Sequence, residues 1–236
     1  MDHAVLQALI LPTLAGITIP LGAFLARFDV LMPGWMQDEF RHSVMAFGGG
    51  ALFSAIALVL VPEGIARVQA VPAILAFAAG GVVFGFLDYT LSSGTGRFAQ
   101  FMAMMLDYVP EAMALGAMLS GQTEIAVLLA GLIALQNLPE GFNAWREMTQ
   151  DHNRPGLIWV FMAVVLVGPL AALIGLFVLT NAPAILGTIM LFSAGGILYL
   201  IFEDVAPHVP LEHRWGPPLG AVAGFLLGLA GHLASM

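Results

Sequence analysis

The chain lacks cysteine and lysine altogether and carries few charges of either sign. Its 236 residues include 7 arginines and 15 acidic residues, and charged residues make up only 9 % against 60 % hydrophobic ones. The absence of cysteine excludes disulfides and thiolate metal sites. A soluble domain carries about 25 % charged residues. The composition, with a mean hydropathy of +0.94, therefore indicates an integral membrane protein.

Eight apolar stretches are long enough to cross a bilayer as helices, for which about 20 residues are needed. Breaks containing proline, glycine or asparagine separate most of them. The predicted spans are 4–26, 42–62, 72–91, 98–120, 124–145, 156–180, 183–206 and 217–235. Little sequence remains between them for a soluble domain. We therefore expect residues 1–236 to form a single all-α transmembrane domain.

Arginines are concentrated in the connections that follow the odd-numbered spans or at their edges. Only Arg67 lies on the other side, and the remaining six are Arg27, Arg41, Arg97, Arg146, Arg154 and Arg214. Because cytoplasmic connections are enriched in arginine and lysine, we expect both termini to lie outside. The short connections suit a prokaryotic inner membrane.

Two central spans carry the same unusual pattern. Residues 107–111 read Asp-Tyr-Val-Pro-Glu, and residues 136–140 read Gln-Asn-Leu-Pro-Glu. Residues four apart share a helix face, so each helix should aim two oxygen ligands in one direction. Carboxylates at bilayer depth cost about 2.5 kcal/mol or more each and mark ion or proton paths. Because successive spans run antiparallel, both pairs should converge as one divalent cation site. Its expected ligands are Asp107, Glu111, Gln136 and Glu140.

The prolines of the two motifs add a second element. Pro110 cannot donate a hydrogen bond to the carbonyl of Leu106, and Pro139 cannot donate one to that of Leu135. The freed carbonyls could bind an ion or water, and the two helices should kink. Spans two and seven, which run in opposite directions, also share a Gly-Gly pair followed by a proline. That is typical of an inverted repeat flanking a central helix pair.

Residues 136–141, Gln-Asn-Leu-Pro-Glu-Gly, resemble the metal-binding stretch of the ZIP (Zrt/Irt-like) divalent metal transporters, typically His-Asn-x-Pro-Glu-Gly on span four with a related motif on span five. The eight spans, the external termini and residues 193–199 are also similar to that family. The resemblance implies transport of a divalent transition metal toward the cytoplasm. It also implies that spans one to three and six to eight form the inverted repeat around the kinked pair of spans four and five.

The chain departs from the family pattern at several positions. Asp107, Tyr108 and Ala112 stand where the family often has His, Asn and Gly, and span six has no charged residue. We therefore expect a divergent member with a single site, with Asn137 as an additional oxygen ligand. Carboxylate and amide oxygens favour harder ions such as Mn²⁺ or Fe²⁺, although carboxylates also bind zinc. Zinc, iron, manganese and cadmium all stay open as the transported substrate.

Polar residues at the span ends indicate where ions could enter and leave. Glu203, Asp204 and His208, at the inner end of span seven, are the predicted exit path. Glu63, at the outer end of span two, could attract cations or could be an ordinary solvated helix end.

Two other functions stay open. The sequence has no His-Glu-x-x-His motif and no aspartate pair in an intramembrane-protease setting, so we expect no enzyme activity. A proton or monovalent-cation carrier could use the same acids, and a homologue could bind metal without transporting it. The expected partners are metal ions and the lipid bilayer, without nucleic acid, and a homodimer stays open.

Overall fold

The computed structural model describes residues 2–27, 34–92, 99–149, 156–208 and 215–235. Within these ranges the regular elements are all helical, and no β-strand is present. The prediction of an all-α chain is therefore confirmed. Arg97, Arg154 and Arg214, which helped to orient the spans, lie outside the described residues.

Eleven α-helices follow one another in the described ranges, with two π-helical turns and one 3₁₀ turn between them. They are α1 (Asp2–Leu25), α2 (Gly34–Ala55), a π-turn (Ile56–Leu60), α3 (Val61–Ile65), α4 (Ala70–Ser92), α5 (Ala99–Met118), α6 (Thr123–Thr149), α7 (Leu157–Val164), α8 (Val167–Val178), a 3₁₀ turn (Leu179–Asn181), α9 (Pro183–Leu200), a π-turn (Ile201–Val205), α10 (Ala206–His208) and α11 (Gly216–Ala234).

Seven helical segments of the described chain are long and apolar enough to cross a membrane, as expected of an integral membrane protein. They are His3–Leu25, Glu39–Ile65, Ala70–Thr90, Thr123–Thr149, Leu157–Asn181, Pro183–Glu203 and Gly216–Ala234. Each lies close to a predicted span. The remaining predicted span, 98–120, forms helix α5, which is not among the seven. Its polar residues, Asp107 and Glu111 among them, lower its hydropathy.

Helix boundaries fall where proline and glycine interrupt the apolar stretches. Helix α9 begins at Pro183, directly after Ala182, whose backbone leaves the helical region at φ −132° and ψ 62°. Helix α11 likewise has proline in its first turn. Proline is favourable there because the first turn has no intrahelical acceptor for its missing N–H. The predicted breaks at these two positions are confirmed.

Two π-turns occupy equivalent positions in spans two and seven. One covers Ile56–Leu60 and precedes Pro62, and the other covers Ile201–Val205 and precedes Pro207. In both spans the proline is the sixth residue after the π-turn begins. Because proline cannot donate to the carbonyl four residues earlier, the regular ladder is interrupted in both helices at the same place.

The helices pack as two groups. One consists of α1, α5, α6, α7 and α8, and the other consists of α2, α3, α4, α9 and α11. The groups meet where α2 contacts α6 and where α9 contacts α5. Helices α5 and α6 therefore lie between the rest of their own group and the second group. Residues on that inner surface are positioned by both groups.

Four helix pairs are in backbone contact through reciprocal glycines. A Cβ atom at any of these positions would lie 1.9–2.3 Å from a carbonyl oxygen of the partner helix. Small residues allow membrane helices to approach this closely. Van der Waals packing between the backbones then holds the helices together, because lipid provides no hydrophobic driving force for their association. The pairs are Gly22 with Gly141 (α1–α6), Gly116 with Gly175 (α5–α8), Gly50 with Gly224 (α2–α11) and Gly80 with Gly195 (α4–α9).

Candidate metal centre

The four predicted ligands lie between α5 and α6, in the interior of the helix bundle. Asp107 is 2 % exposed, Glu111 and Gln136 are fully buried, and Glu140 is half-buried. A short turn joins the two helices, with the backbone N–H of Gln122 donating to the Met118 carbonyl oxygen at 2.7 Å, so they run antiparallel. The i, i+4 spacing of each motif then aims its two side chains toward the neighbouring helix.

The four side chains form two pairs across the helix interface. Gln136 Nε2 donates to Glu111 Oε2 at 2.5 Å. The carboxyl groups of Asp107 and Glu140 lie within hydrogen-bonding distance of each other. In the described part of the chain, no three histidine, aspartate or glutamate side chains come together as a group that could hold a metal ion. The site is therefore a pair of two-residue contacts, one carboxylate–amide and one carboxyl–carboxyl.

Several buried oxygens of the site have no hydrogen-bond partner among the described residues. They are Glu111 Oε1, Gln136 Oε1 and Asn137 Oδ1. A buried polar atom left unsatisfied costs about 1–3 kcal/mol, and buried polar groups are nearly always satisfied by protein, water or ion. Three such acceptors in one interior region favour a bound cation or ordered water. Ser193 Oγ in α9 is a further buried atom without a hydrogen-bond partner in the described chain.

Asn137 belongs to a different face of α6 from Gln136 and Glu140. Its Nδ2 donates to the carbonyl oxygen of Ala15 in α1 at 3.3 Å, and the side chain is fully buried. This contact ties α6 to α1 next to the closely packed glycines of that pair. Its Oδ1 is an acceptor without a partner among the described residues, so it could still serve a ligand.

A narrow cavity of about 40 Å³ lies beside Asp107 and Glu140. That volume exceeds the 10–15 Å³ or so that one water needs, so it has room for water or a partly dehydrated cation. Gln100 of α5 and Asn143 of α6 line the same cavity, and the opposite wall is apolar. That apolar wall includes Met45, Gly48, Gly49 and Leu52 of α2 and Ile197, Leu200 and Val205 of span seven.

Tyr108, between the two acids of the α5 motif, fixes this helix against α1 and α8. It is fully buried, and its hydroxyl donates to the carbonyl oxygen of Pro12 at 3.1 Å. The hydroxyl fits where Gly16 and Gly168 leave space, since a Cβ would lie 2.5 Å and 2.0 Å from it. Sequence reasoning noted Tyr108 as a departure from a family pattern but missed this role. The glycines that accept the ring are distant in sequence.

At the opposite end of α5 and α6, a polar cluster joins the two helix groups. Arg67 contacts Glu63 Oε2 at 2.5 Å, and the two side chains are 16 % and 17 % exposed. Arg67 also donates to Gln122 Oε1, and Gln122 Nε2 donates to Glu63 Oε2 at 3.0 Å. Glu63 is therefore engaged with Arg67 and Gln122 and is neither a free cation attractor nor an ordinary solvated end. Neither of the two alternatives expected from the sequence, an exposed cation attractor or a solvated helix end, describes Glu63.

The predicted exit residues are only partly described. Glu203 is exposed and lines a groove with Phe77, Tyr199 and Phe202, on a different side of α9 from the cavity. The side chains of Asp204 and His208 lie outside the described residues. Val205, which follows Asp204 in the sequence, lines the cavity instead. Span seven therefore presents an apolar side chain to the site at this level.

Sequence reasoning missed two polar residues of the cavity, Gln100 and Asn143. Helical periodicity relates both to the motif residues. Asn143 lies three residues after Glu140, and Gln100 lies seven residues before Asp107, spacings that keep each pair on one helix face. Neither belongs to the repeated motif, and polar residues near span ends are common, so nothing in the sequence singled them out.

Comparison of the sequence with known protein families and known proteins found no match. No protein-family model matches the chain, and no curated protein matches it either.

Proposed function

We propose that the chain is a divergent ZIP-type carrier that moves a divalent transition metal across the membrane toward the cytoplasm. The observation that carries the proposal is the interior site between α5 and α6. Glu111 pairs with Gln136 there and Asp107 pairs with Glu140, and Glu111 Oε1 and Gln136 Oε1 have no hydrogen-bond partner in the described chain. Hard oxygen ligands of this kind suit Mn²⁺, Fe²⁺ or Zn²⁺.

In this proposal α5 also crosses the membrane and is the fourth of eight spans. Its 20 residues extend about 30 Å at 1.5 Å per residue, the thickness of a hydrocarbon core. Its acids face α6 within the protein, so lipid need not solvate them. Arg27 and Arg146 both lie at the inner end proposed from arginine placement, and Arg27 packs over the ring of Trp145 at 4.9 Å. Cationic and aromatic side chains at one end are typical of an interfacial belt.

Helix packing supports the inverted repeat that belongs to the same proposal. If span one corresponds to span six, two to seven, three to eight and four to five, each close helix pair has a counterpart. The α1–α6 contact then matches α8–α5, and α2–α11 matches α9–α4. Both members of each match are built on reciprocal glycines. The two π-turns are also equivalent under this exchange.

The two sides of the site differ, which favours alternating access. Toward the inner end lies the cavity beside Asp107 and Glu140. Toward the outer end, the side chains on α5 and α6 are apolar and buried, among them Leu115, Leu129 and Ile133 at 0 % exposure. The polar cluster of Glu63, Arg67 and Gln122 bridges the two helix groups beyond them. We infer that the described state is closed to the outside.

The proposal is tested by uptake of zinc, cadmium, manganese and ferrous iron into proteoliposomes. We compare wild type with Glu111→Gln plus Glu140→Gln, which keep side-chain size but remove two charged ligands. Changing a residue that only supports a metal ligand costs about 10–100-fold in metal affinity. The double variant changes two ligands, so its metal affinity should fall by at least that factor, and uptake should fall with it. Glu124→Gln, an exposed position at the start of α6, is the matched control and should transport normally.

Wild-type protein that is folded and moves none of these metals would refute metal transport. A proton carrier is the second candidate, because the neighbouring carboxyl groups of Asp107 and Glu140 could share and pass a proton. It predicts proton flux without metal that the same double variant abolishes. Saturable metal binding without flux would instead favour the non-transporting homologue.

A further inference from the structure

The polar residues of the inner cavity all lie on one wall. Asp107 and Gln100 come from α5, and Glu140 and Asn143 come from α6, whereas α2 and span seven contribute apolar or small residues. A cation in the cavity would therefore have all its side-chain oxygens on the α5–α6 wall. The opposite wall offers only van der Waals contact, which keeps the ion against the polar wall.

These residues continue the predicted site toward the cytoplasmic end. On α6, Gln136, Glu140 and Asn143 follow one another at spacings of four and three residues, which keeps them on one face. On α5, Gln100 lies seven residues before Asp107, about 10 Å further along the helix axis. The α5 end is held to α6 there, because the backbone N–H of Gln100 donates to Glu147 Oε2 at 3.0 Å.

We propose that Gln100 and Asn143 form, with Asp107 and Glu140, a second, inner position for the divalent cation. This inference rests on the proposed transport function and adds a step to it. Asp107 and Glu140 belong to both positions, so an ion bound by Glu111 and Gln136 exchanges two ligands and keeps two as it moves inward. Two carboxylates and two amide oxygens suit a hard divalent ion, whose remaining ligands are waters.

Two positions that share their carboxylates would let the ion leave in steps. An ion that lost all its protein ligands at once would give up its whole coordination before water replaced it, whereas stepwise exchange replaces ligands one or two at a time. Multi-site binding that is weak enough at each position is the general requirement for ions to leave a membrane pathway. Asn143, which lines the cavity one helical turn after Glu140, is the residue whose loss should affect this step most.

The first test compares Asn143→Ala and Asn143→Asp in proteoliposome uptake of Mn²⁺ and Zn²⁺. Loss of the amide in Asn143→Ala should lower the maximal uptake rate about tenfold, a typical effect of removing a metal-site partner. Asn143→Asp adds a carboxylate, so it should lower both KM and the maximal rate, because the ion is held longer. Asn181→Ala, which removes the same amide from the 3₁₀ turn at the outer end, is the matched control and should leave both parameters unchanged.

The second test does not depend on transport. Because the chain has no cysteine, Ala103→Cys places a single thiol on the cavity wall without removing a proposed ligand, and Asn181→Cys places one far from the cavity. Mn²⁺ should slow alkylation of the thiol at position 103 in purified protein several-fold and leave the thiol at position 181 unaffected.

The outcomes separate the inner position from the transport proposal. If wild type transports but Asn143→Ala behaves as Asn181→Ala and Mn²⁺ gives no protection, the inner position is wrong and transport stands. If Mn²⁺ protects the thiol at position 103 but wild type moves no metal, the inner position is supported as a binding site and transport is wrong. Absence of both effects overturns both.

Discussion

Replacing Gly168 by alanine should displace the α5 motif, because the space beside this glycine is filled by Tyr108. A Cβ at position 168 would lie 2.0 Å from the Tyr108 hydroxyl oxygen, 2.8 Å from Cζ and 3.0 Å from the Pro12 carbonyl oxygen. Ordinary contact begins at 3.4 Å, so the hydroxyl and the new methyl must separate by about 1.4 Å. Overpacking of this kind costs about 1–3 kcal/mol.

The displacement matters because Tyr108 lies between the two acids of the α5 motif. Its neighbour Asp107 and, one turn on, Glu111 would move with the helix. Ligands must be held within about 0.5 Å of their productive geometry, and a 1 Å misplacement can cost about 100-fold in rate. We therefore expect Gly168→Ala to lower metal uptake by about two orders of magnitude while the protein still folds.

The assay is uptake in proteoliposomes together with thermal unfolding in detergent. Adding Tyr108→Phe to Gly168→Ala removes the closest atom and raises the shortest contact from 2.0 Å to 2.8 Å. The required shift then falls to about 0.6 Å, so the double variant should recover part of the lost activity. Tyr108→Phe alone loses one hydrogen bond, worth about 1 kcal/mol, and should transport within a few-fold of wild type.

Gly131→Ala is the control, since nothing lies within 4 Å of a Cβ there and the residue is inside α6. It should be neutral or slightly stabilising, because alanine is the better helix former by about 1 kcal/mol. If Gly168→Ala transports and unfolds as Gly131→Ala does, Tyr108 does not position the site and the reasoning is wrong.

Two further predictions concern the outer cluster and the metal-free site. Gln122→Ala removes the link between Arg67 and the α5–α6 turn. A single thiol introduced as Leu115→Cys should then react several-fold faster with an external, impermeant reagent, whereas the Ser120→Ala control should leave that rate unchanged. An unchanged rate in Gln122→Ala would show that the cluster does not close the outer side. Gln136→Glu replaces the donor to Glu111 with a second carboxylate, and a hydrogen bond to a charged group is worth about 1.5–3 kcal/mol. The unfolding temperature of the Gln136→Glu variant without metal should therefore fall by several degrees and recover on adding Mn²⁺. Equal stabilisation of wild type and variant by Mn²⁺ would count against direct coordination at this residue.

Much of the membrane architecture could be predicted because its causes are local. Apolar length and the positions of proline and glycine set the helices, and the predicted breaks before α9 and α11 agree with the observed starts. The burial of Glu111 and Gln136 also followed from local pattern. Two residues four apart share a helix face, and acids in an apolar helix must face protein. Neither transport nor the identity of an ion was determined by these patterns, and both stay proposals.

Only the tertiary structure decided the contacts between residues that are distant in sequence. The reciprocal glycines, the fit of Tyr108 between Gly16 and Gly168, and the bonding of Glu63 through Arg67 to Gln122 depend on which helices become neighbours. The two groups of helices each combine first-half and second-half spans, so proximity along the chain does not indicate proximity in space. Sequence periodicity determines which face of a helix is polar. The packing of backbones at glycines decides which helix that face meets, and hence that Gln100 and Asn143 share a cavity with Asp107 and Glu140.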